Sequence, residues 1–506
     1  MKKLRSLIVL FLVMCMLVSF TGCKKKPSTE DSSSAIISSQ DTSTQPDEQD
    51  ESTEQSTDDE NTDIDNSDTP ISSSNPGSFV DNSYDDNESS GQQSTSTDEQ
   101  KGPVSTGKWK QKEFYLSTIW PYDYGATDDA KKKKAIDLCK EGGFNLVELA
   151  IGSVEQEALL DYCDEIGMNV LAGSKFKSAG TAANVLWNEA IVRDEIYRIY
   201  DHKSVIGYLT WDEIAKDKFE SANKLLSIVN KYDPARLAYS CLFPSYGVYN
   251  WDAGTTGGNW SDSSYYKYVE NYVKICDPQV LAFDYYPFIL DNSSVVNMRD
   301  WYRDLGVFRK FAIQYNKPFW YYIGTVDDDE KDNVTDAQVR YQLNVSLAYG
   351  AKYISYFCTT DYMYDSDTYE KSDRFEDAKA LNLNAMKMGQ FLFDKTGTAL
   401  YHYGLKDTEY YNDIYFLDDI SKSDLIGEVV ASDGMIISMF KDANGNEYMM
   451  VTTKNLKSKS AVEITLKSEK TVQLLDNSTG KLGEEYKTSL IKHKFIPGDA
   501  AIFAIK

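Results

Sequence analysis

Between Lys108 and Cys358 short apolar runs alternate with longer helical patterns, and no other feature of the chain constrains its fold as much. Eight runs have the length and composition of strands buried on both faces: Phe114–Trp120, Phe144–Ala150, Asn169–Gly173, Val205–Trp211, Arg236–Phe243, Val280–Tyr286, Pro318–Gly324 and Tyr353–Cys358. Helical spacing fills the gaps at Asp128–Gly142, Gln156–Ile166, Asn188–Tyr200, Lys218–Tyr232, Ser264–Cys276, Val296–Tyr315 and Asp336–Tyr349. Strands that alternate with helices imply a parallel sheet covered by helices. Eight such units over about 290 residues suit a closed α/β barrel of the TIM type, (β/α)8. An open doubly wound sheet is the competing arrangement, but no glycine-rich phosphate loop follows the first strand.

Beyond about Leu425 the pattern changes to short alternating or apolar runs: Met435–Phe440, Glu447–Thr453, Ala461–Leu466, Thr471–Asp476 and Ala500–Ile505. Asp442–Gly445 and Asn477–Gly480 supply turns. These imply a small C-terminal β-sandwich that packs on the barrel, with glycan binding as an alternative role. The expected organisation is residues 1–23 as a leader, 24–107 as a linker, 108–400 as the barrel and 401–506 as the sandwich.

The leader begins with Lys2, Lys3 and Arg5. An apolar run from Leu7 to Val18 follows, too short to span a bilayer comfortably. Phe20-Thr21-Gly22-Cys23 comes next and resembles the bacterial lipobox, which implies lipid on Cys23 and a mature chain outside the cytoplasm, membrane-anchored at the cell surface. An ordinary signal peptide or an uncleaved anchor gives the same side of the membrane. The linker is Ser, Thr, Asp and Glu with few aromatics, so it cannot bury enough apolar area to offset ordering; disorder is expected. Residues 27–100 hold 20 Asp or Glu and no Lys or Arg. The formal charge of −26 therefore belongs mostly to this stretch, and residues 101–506 carry −12. An acidic chain lacks the basic face that nucleic acid requires.

Cys139, Cys163, Cys241, Cys276 and Cys358 are scattered and odd in number, which favours buried thiols over a disulfide framework. Three histidines in the whole chain give little basis for a histidine metal site. No cofactor motif appears, and none is expected.

In such a barrel the strand C-termini form the mouth where sites are built. Here they end in Trp120-Pro121-Tyr122-Asp123, in Glu148, and in Trp211-Asp212-Glu213. Asp284-Tyr285-Tyr286-Pro287 ends the sixth strand, Trp320-Tyr321-Tyr322 lies on the seventh, and the eighth runs into Asp361. Aromatic faces stack on the C–H faces of sugars, and two carboxylates can cleave a glycosidic bond. An apolar strand that ends in two acids is costly unless they face a polar cleft.

Gly207-Tyr208-Leu209-Thr210-Trp211-Asp212-Glu213 resembles the fourth strand of barrel glycoside hydrolases of the broad clan containing the β-galactosidase-like families. Tyr232-Asp233-Pro234-Ala235-Arg236, Asp284-Tyr285-Tyr286-Pro287, and Arg340-Tyr341-Gln342 through Ala348-Tyr349-Gly350-Ala351 continue the likeness, over roughly residues 112–395. The resemblance implies that Glu213 is the general acid/base, with Asp212 as competitor or modulator. Members of the clan carry a nucleophilic Glu at the end of the seventh strand; Phe319–Thr325 has none. Asp284 is the leading second acid, with Asp327, Asp361 and Glu148 behind it. Trp120, Trp211, Trp320, Tyr285, Tyr286 and Tyr322 are the candidate sugar contacts, together with Glu148 and Asp361. The loop from Tyr246 to Trp260, with Trp251, has the length of a lid. A sugar-binding barrel that has lost catalysis is the alternative function.

Overall fold

The computed structural model describes residues 107–122, 126–179, 188–247, 262–288, 298–325, 334–404 and 416–506. Cys23, the linker up to residue 106, Asp123, Asp327, Trp251 and Trp260 lie outside them.

Eight parallel strands close on themselves: β1 (Tyr115–Ile119), β2 (Leu146–Ala150), β3 (Asn169–Ala179), β4 (Val205–Asp212), β5 (Leu237–Leu242), β6 (Leu281–Asp284), β7 (Phe319–Gly324) and β8 (Ala351–Phe357). Closure comes from β1 pairing with β8, for example Tyr115 with Tyr353. The helices between are α1 (Asp129–Glu141), α2 (Glu157–Ile166), α3 (Glu189–Ile199), α4 (Phe219–Tyr232), α5 (Asp262–Cys276), α6 (Met298–Tyr315) and α7 (Asp336–Ala348); α8 (Phe375–Leu392) follows β8. This is the expected (β/α)8 barrel. Helix starts follow local chemistry. Asp128 caps α1 through the Ala130 and Lys131 amides, and Thr335 and Gln338 form a reciprocal capping box on α7.

Alternation along each strand divides the core in two. Leu146, Leu171, Leu209, Leu237, Tyr239, Trp320 and Tyr353 fill the barrel interior. Val147, Val170, Tyr208, Phe283, Tyr321 and Ile354 face the helices. Gly207 lets β4 approach β5: a Cβ there would lie 2.6 Å from Leu237 Cβ and 2.8 Å from its carbonyl oxygen.

Antiparallel strands build the second layer system: β9 (Thr396–Tyr403), β10 (Ile426–Ala431), β11 (Met435–Lys441), β12 (Glu447–Thr453), β13 (Ser460–Asp476), β14 (Lys481–Leu482), β15 (Tyr486–Phe495) and β16 (Ala500–Ile505). It fits a β-sandwich with its own core of Met435, Ile437, Val451, Ile464, Ile491 and Phe503. The two strands expected at 461–466 and 471–476 are halves of β13. The long strand pairs with β10 and β15 through its first half and with β15 and β16 through its second. β15 is mostly exposed, so it carries little apolar signal.

Among the described residues no helix is long and apolar enough to cross a membrane. Cys139, Cys163, Cys241 and Cys276 are buried free thiols, and Cys358 is half-buried.

Candidate active site

The end of β4 builds the centre of the mouth. A register shift falls between Leu209 and Trp211, where the Thr210 hydroxyl bonds the Tyr239 carbonyl at 2.8 Å and Ser240 Oγ at 2.8 Å. Strict alternation would put Trp211 on the same side as Leu209. The bulge reverses the phase instead, so Trp211 is fully buried against the helices. Glu213 follows with φ 54°, a left-handed backbone that costs a branched or long residue energy and often marks a functional position.

Lys177, on the extended end of β3, pairs with Asp212 at 3.2 Å. Glu213 is half-buried and its carboxyl is raised well above the usual range. Desolvation is the first cause, then the charges of Asp284 and Asp212, with Lys177 acting the other way. Asp284 stands on β6 in phase with inward-facing Ala282. It is buried, and its Oδ1 has no hydrogen-bond partner. Burial, then the charge of Asp212, pushes its carboxyl up to about 7, against a hydrogen bond from Tyr286. The charge of Asp284 thus acts on Glu213, and both carboxyls hold their protons above the usual carboxylate range.

Simple alternation separates the next two residues. Tyr285 is buried outward, with its carbonyl accepting from the Tyr321 hydroxyl. Tyr286 turns to the mouth and stacks on Phe357, with centroids 5.1 Å apart and planes at 21°. Trp120, half-buried with φ 50°, meets Phe357 edge-on at 5.6 Å. A row Trp120–Phe357–Tyr286 therefore crosses the mouth. Tyr246, on the loop after β5, packs edge-on against Tyr285 at 5.0 Å, and the charges of Asp284 and Glu213 help raise its phenol.

Other expected contacts are placed differently. Trp320 sits in the barrel interior, fully buried. It stacks on Tyr353 at 4.1 Å and donates to Gln111 Oε1 at 3.0 Å, so it offers no sugar platform. Glu148 and Tyr322 bond each other inside the barrel. Glu148 Oε2 accepts from Tyr322 at 3.1 Å and Tyr239 at 2.9 Å, while Oε1 accepts from Ser355 at 3.1 Å and from Tyr353. Burial raises the Glu148 carboxyl despite these four donors. Asp361, exposed at φ 63°, is used in a turn, accepting from the Ser366 amide at 3.1 Å. Trp211, Trp320 and Tyr285 are thus corrected from sugar contacts to core residues.

The inward position at the end of β7 falls on Gly324. Its amide and carbonyl are both held by the Gln342 side chain, at 3.1 and 2.8 Å. Among the described residues, no β7 side chain enters the mouth at that position.

The sequence reading missed Phe357, Lys177 and Tyr246 as mouth residues. Phe357 was legible by counting inward positions along β8 from Tyr353 and Ser355. Lys177 was hidden because β3 continues past Gly173. Among the described residues no cluster of three or more His, Cys, Asp or Glu is arranged to hold a metal ion.

The fold has solved relatives. Its structural neighbours are glycoside hydrolases. A catalytic mutant of a GH42 β-galactosidase from G. stearothermophilus superposes with TM-score 0.50 at 9% identity, over 78% of this chain and 98% of that one. A candidate α-galactosidase from Bacteroides fragilis covers 78% of this chain and 79% of its own, with TM-score 0.47 and 10% identity. At these identities the likeness is one of fold. No protein-family model and no curated protein matches the chain.

Proposed function

We propose that this chain is a glycoside hydrolase that cleaves an oligosaccharide or polysaccharide by carboxylate acid/base catalysis. The observation that carries this reading is the Glu213–Asp284 pair at the barrel mouth, with both carboxyls raised and one buried oxygen left bare. Glu213 holds its proton well above the usual carboxylate range and donates it to the leaving glycosidic oxygen. Asp284, ionised above about pH 7, attacks the anomeric carbon or activates water. The charge of Asp212, tempered by Lys177, helps hold the proton on Glu213. Tyr286, Phe357 and Trp120 supply aromatic faces for the rings.

The test is a screen of the full chain on defined glycans. Glu213→Gln should cut turnover by about 10²–10⁴-fold while leaving the melting profile in place. A variant as active as the parent removes Glu213 from the mechanism.

A second reading, a sugar-binding barrel without catalysis, is favoured by Gly324 standing where a β7 carboxylate would enter the mouth. It predicts glycan binding with no release of reducing ends.

We also propose that the protein is held at the outer face of a membrane through lipid on Cys23. The basic start, the short apolar run and Phe20-Thr21-Gly22-Cys23 support this. Cys23→Ser should abolish incorporation of labelled fatty acid into the chain; undiminished labelling would refute it.

A further inference from the structure

Below the mouth, one carboxyl gathers hydroxyls from across the barrel interior. Glu148 stands on β2 two residues after inward-facing Leu146. It accepts from Tyr239 of β5 at 2.9 Å, from Tyr322 of β7 at 3.1 Å, from Ser355 of β8 at 3.1 Å, and from Tyr353 of β8. The hydroxyl oxygens of Tyr239 and Tyr322 also lie 2.9 Å from each other. All five residues are buried. Leu171, the register partner of Glu148 on β3, fills the same level with an apolar side chain. A carboxyl at this level costs desolvation that a leucine would not. What it adds is direction, because it fixes where each hydroxyl around it must point.

Two of those hydroxyls belong to neighbours of the acid pair. The Tyr239 carbonyl accepts from Thr210 at 2.8 Å, and Thr210 lies in the bulge that turns the end of β4 toward the mouth. Tyr322 is the register partner of Asp284, and its carbonyl accepts from the Tyr285 amide at 3.5 Å. Glu148 therefore reaches the Glu213 side through Tyr239 and Thr210, and the Asp284 side through Tyr322. Cys241, inward-facing on β5, senses both levels. Burial first, then the charges of Asp284, Asp212, Glu213 and Glu148, raise its thiol. Asp284 depends on support from its strand neighbours, since its Oδ1 has no hydrogen-bond partner.

Separation decides what a carboxyl pair can do. Glycosidases that retain configuration hold their two carboxyls about 5–5.5 Å apart, and those that invert hold them about 6.5–9.5 Å apart. A displacement of about 1 Å at a reacting group can cost about 10²-fold in rate.

We infer that Glu148 is a positioning residue: through Tyr239 and Tyr322 it fixes the strand end that carries Glu213 against the strand end that carries Asp284, and so sets the separation of the two carboxyls. The inference rests on the acid-pair reading above and adds the group that holds the pair in place.

The experiment compares Glu148→Gln, Glu148→Met and Tyr322→Phe with the parent full chain. Turnover is read as release of nitrophenol from the nitrophenyl glycosides of glucose, galactose, mannose and xylose. Glu148→Gln still accepts hydroxyls through its carbonyl and should keep kcat within about 3-fold. Glu148→Met keeps the volume and loses the acceptor. Its kcat should fall about 10²-fold with KM within about 3-fold, because Glu148 places the acids without holding substrate. Tyr322→Phe deletes one hydroxyl and should lower kcat by about 3- to 10-fold. A second readout needs no substrate. Urea unfolding of each protein with and without Asp284→Asn, from about pH 4 to about pH 9, isolates the Asp284 proton, which the parent holds to about 7. In Glu148→Met that midpoint should fall by about 1 pH unit, as the carboxyl gains water and moves from the charge of Asp212. A purely structural role would lower the melting temperature and move neither kcat in the folded protein nor this midpoint. Glu148→Met with parental kcat and midpoint overturns the inference, as does Glu148→Gln as impaired as Glu148→Met. If Glu148→Met does not fold, Tyr322→Phe decides, and parental kcat and midpoint there overturn the inference. Turnover by the parent that no variant changes would sink the positioning role and leave the Glu213–Asp284 reading standing. No turnover by the parent, with the Asp284 midpoint moved in Glu148→Met, would sink hydrolysis and leave Glu148 as the residue that places Asp284.

Discussion

Asp284 shows how far one residue departs from ordinary solution behaviour. Its carboxyl is pushed from 3.8 up to about 7. The unfolded chain releases this proton near pH ~3.9, while the folded chain holds it until about 7. The folded state therefore binds more protons across that window. Its contribution to stability is fully present below about pH 4 and is lost as pH rises to about 7. Asp284→Asn removes the charged form and should stabilise the protein at pH 8 by about 1–3 kcal/mol, the usual cost of a buried polar group without a partner. The gain should shrink as pH falls toward 4. Urea unfolding of both proteins at several pH values measures this, and a lower midpoint for the variant at pH 8 would contradict it. The proposed mechanism, in which Asp284 is the reacting carboxylate, also predicts loss of turnover in the same variant. Under the same proposal, kcat/KM of the parent chain should rise through about pH 7 as the pair loses its first proton and fall at higher pH as it loses the second.

At the scale of elements, α6 registers two strand ends against each other. Arg303 and Asp304 lie in its first half, at 1% and 0% exposure. Arg303 donates to Asp304 Oδ1 at 3.1 and 2.9 Å, to Asp300 at 3.1 Å, and to the Ser245 hydroxyl. Asp304 Oδ2 accepts from the Ser245 amide at 2.8 Å. Trp301, on the same helix, donates to the Tyr321 hydroxyl at 2.7 Å, and that hydroxyl donates to the Tyr285 carbonyl. One helix thus holds the turn that carries Tyr246 and the strand end that carries Asp284. Burial lifts the Asp304 carboxyl to about 6 even with Arg303 beside it. Arg303→Met would leave that carboxyl buried without its cation. A destabilisation of about 3–5 kcal/mol is expected in chemical denaturation. A loss under about 1 kcal/mol would show that the pair is dispensable.

Across the whole folded region, barrel and sandwich share one core. Ile436, Phe440, Met450, Leu475 and Ile502 of the sandwich pack in the same cluster as the barrel's outer layer. Polar contacts join the same surfaces. Arg340 donates to the Pro497 carbonyl at 2.7 Å and Asn344 to the Gly498 carbonyl at 2.9 Å. His402 lies between Tyr349 at 2.9 Å and Lys454 at 3.0 Å. Burial lowers the Lys454 ammonium to about 7, and it depresses His402 further below its usual value, with the Lys454 charge adding to that effect. Neither layer can leave without exposing the other's apolar face. Residues 107–506 should therefore unfold in one transition, with tryptophan fluorescence and far-UV circular dichroism giving coincident midpoints. Two separated transitions would show that the shared core does not couple them.

What the sequence determined by itself is periodic. The spacing of apolar residues from Lys108 onward specified eight strands with seven helical segments between them, and with them a closed parallel barrel whose strand ends hold Glu213 and Asp284. Tertiary structure decided what local breaks in that period do. The bulge at Thr210 sends Trp211 into the core and brings Asp212 and Glu213 to the mouth. The extension of β3 delivers Lys177, and the helix α6 brings Tyr246 beside Asp284. Periodicity gives the face of a side chain only while the hydrogen-bond register is unbroken. Register, and the depth at which Trp320 and Glu148 sit in the barrel, are set by partners from 29 to 209 residues away in the chain.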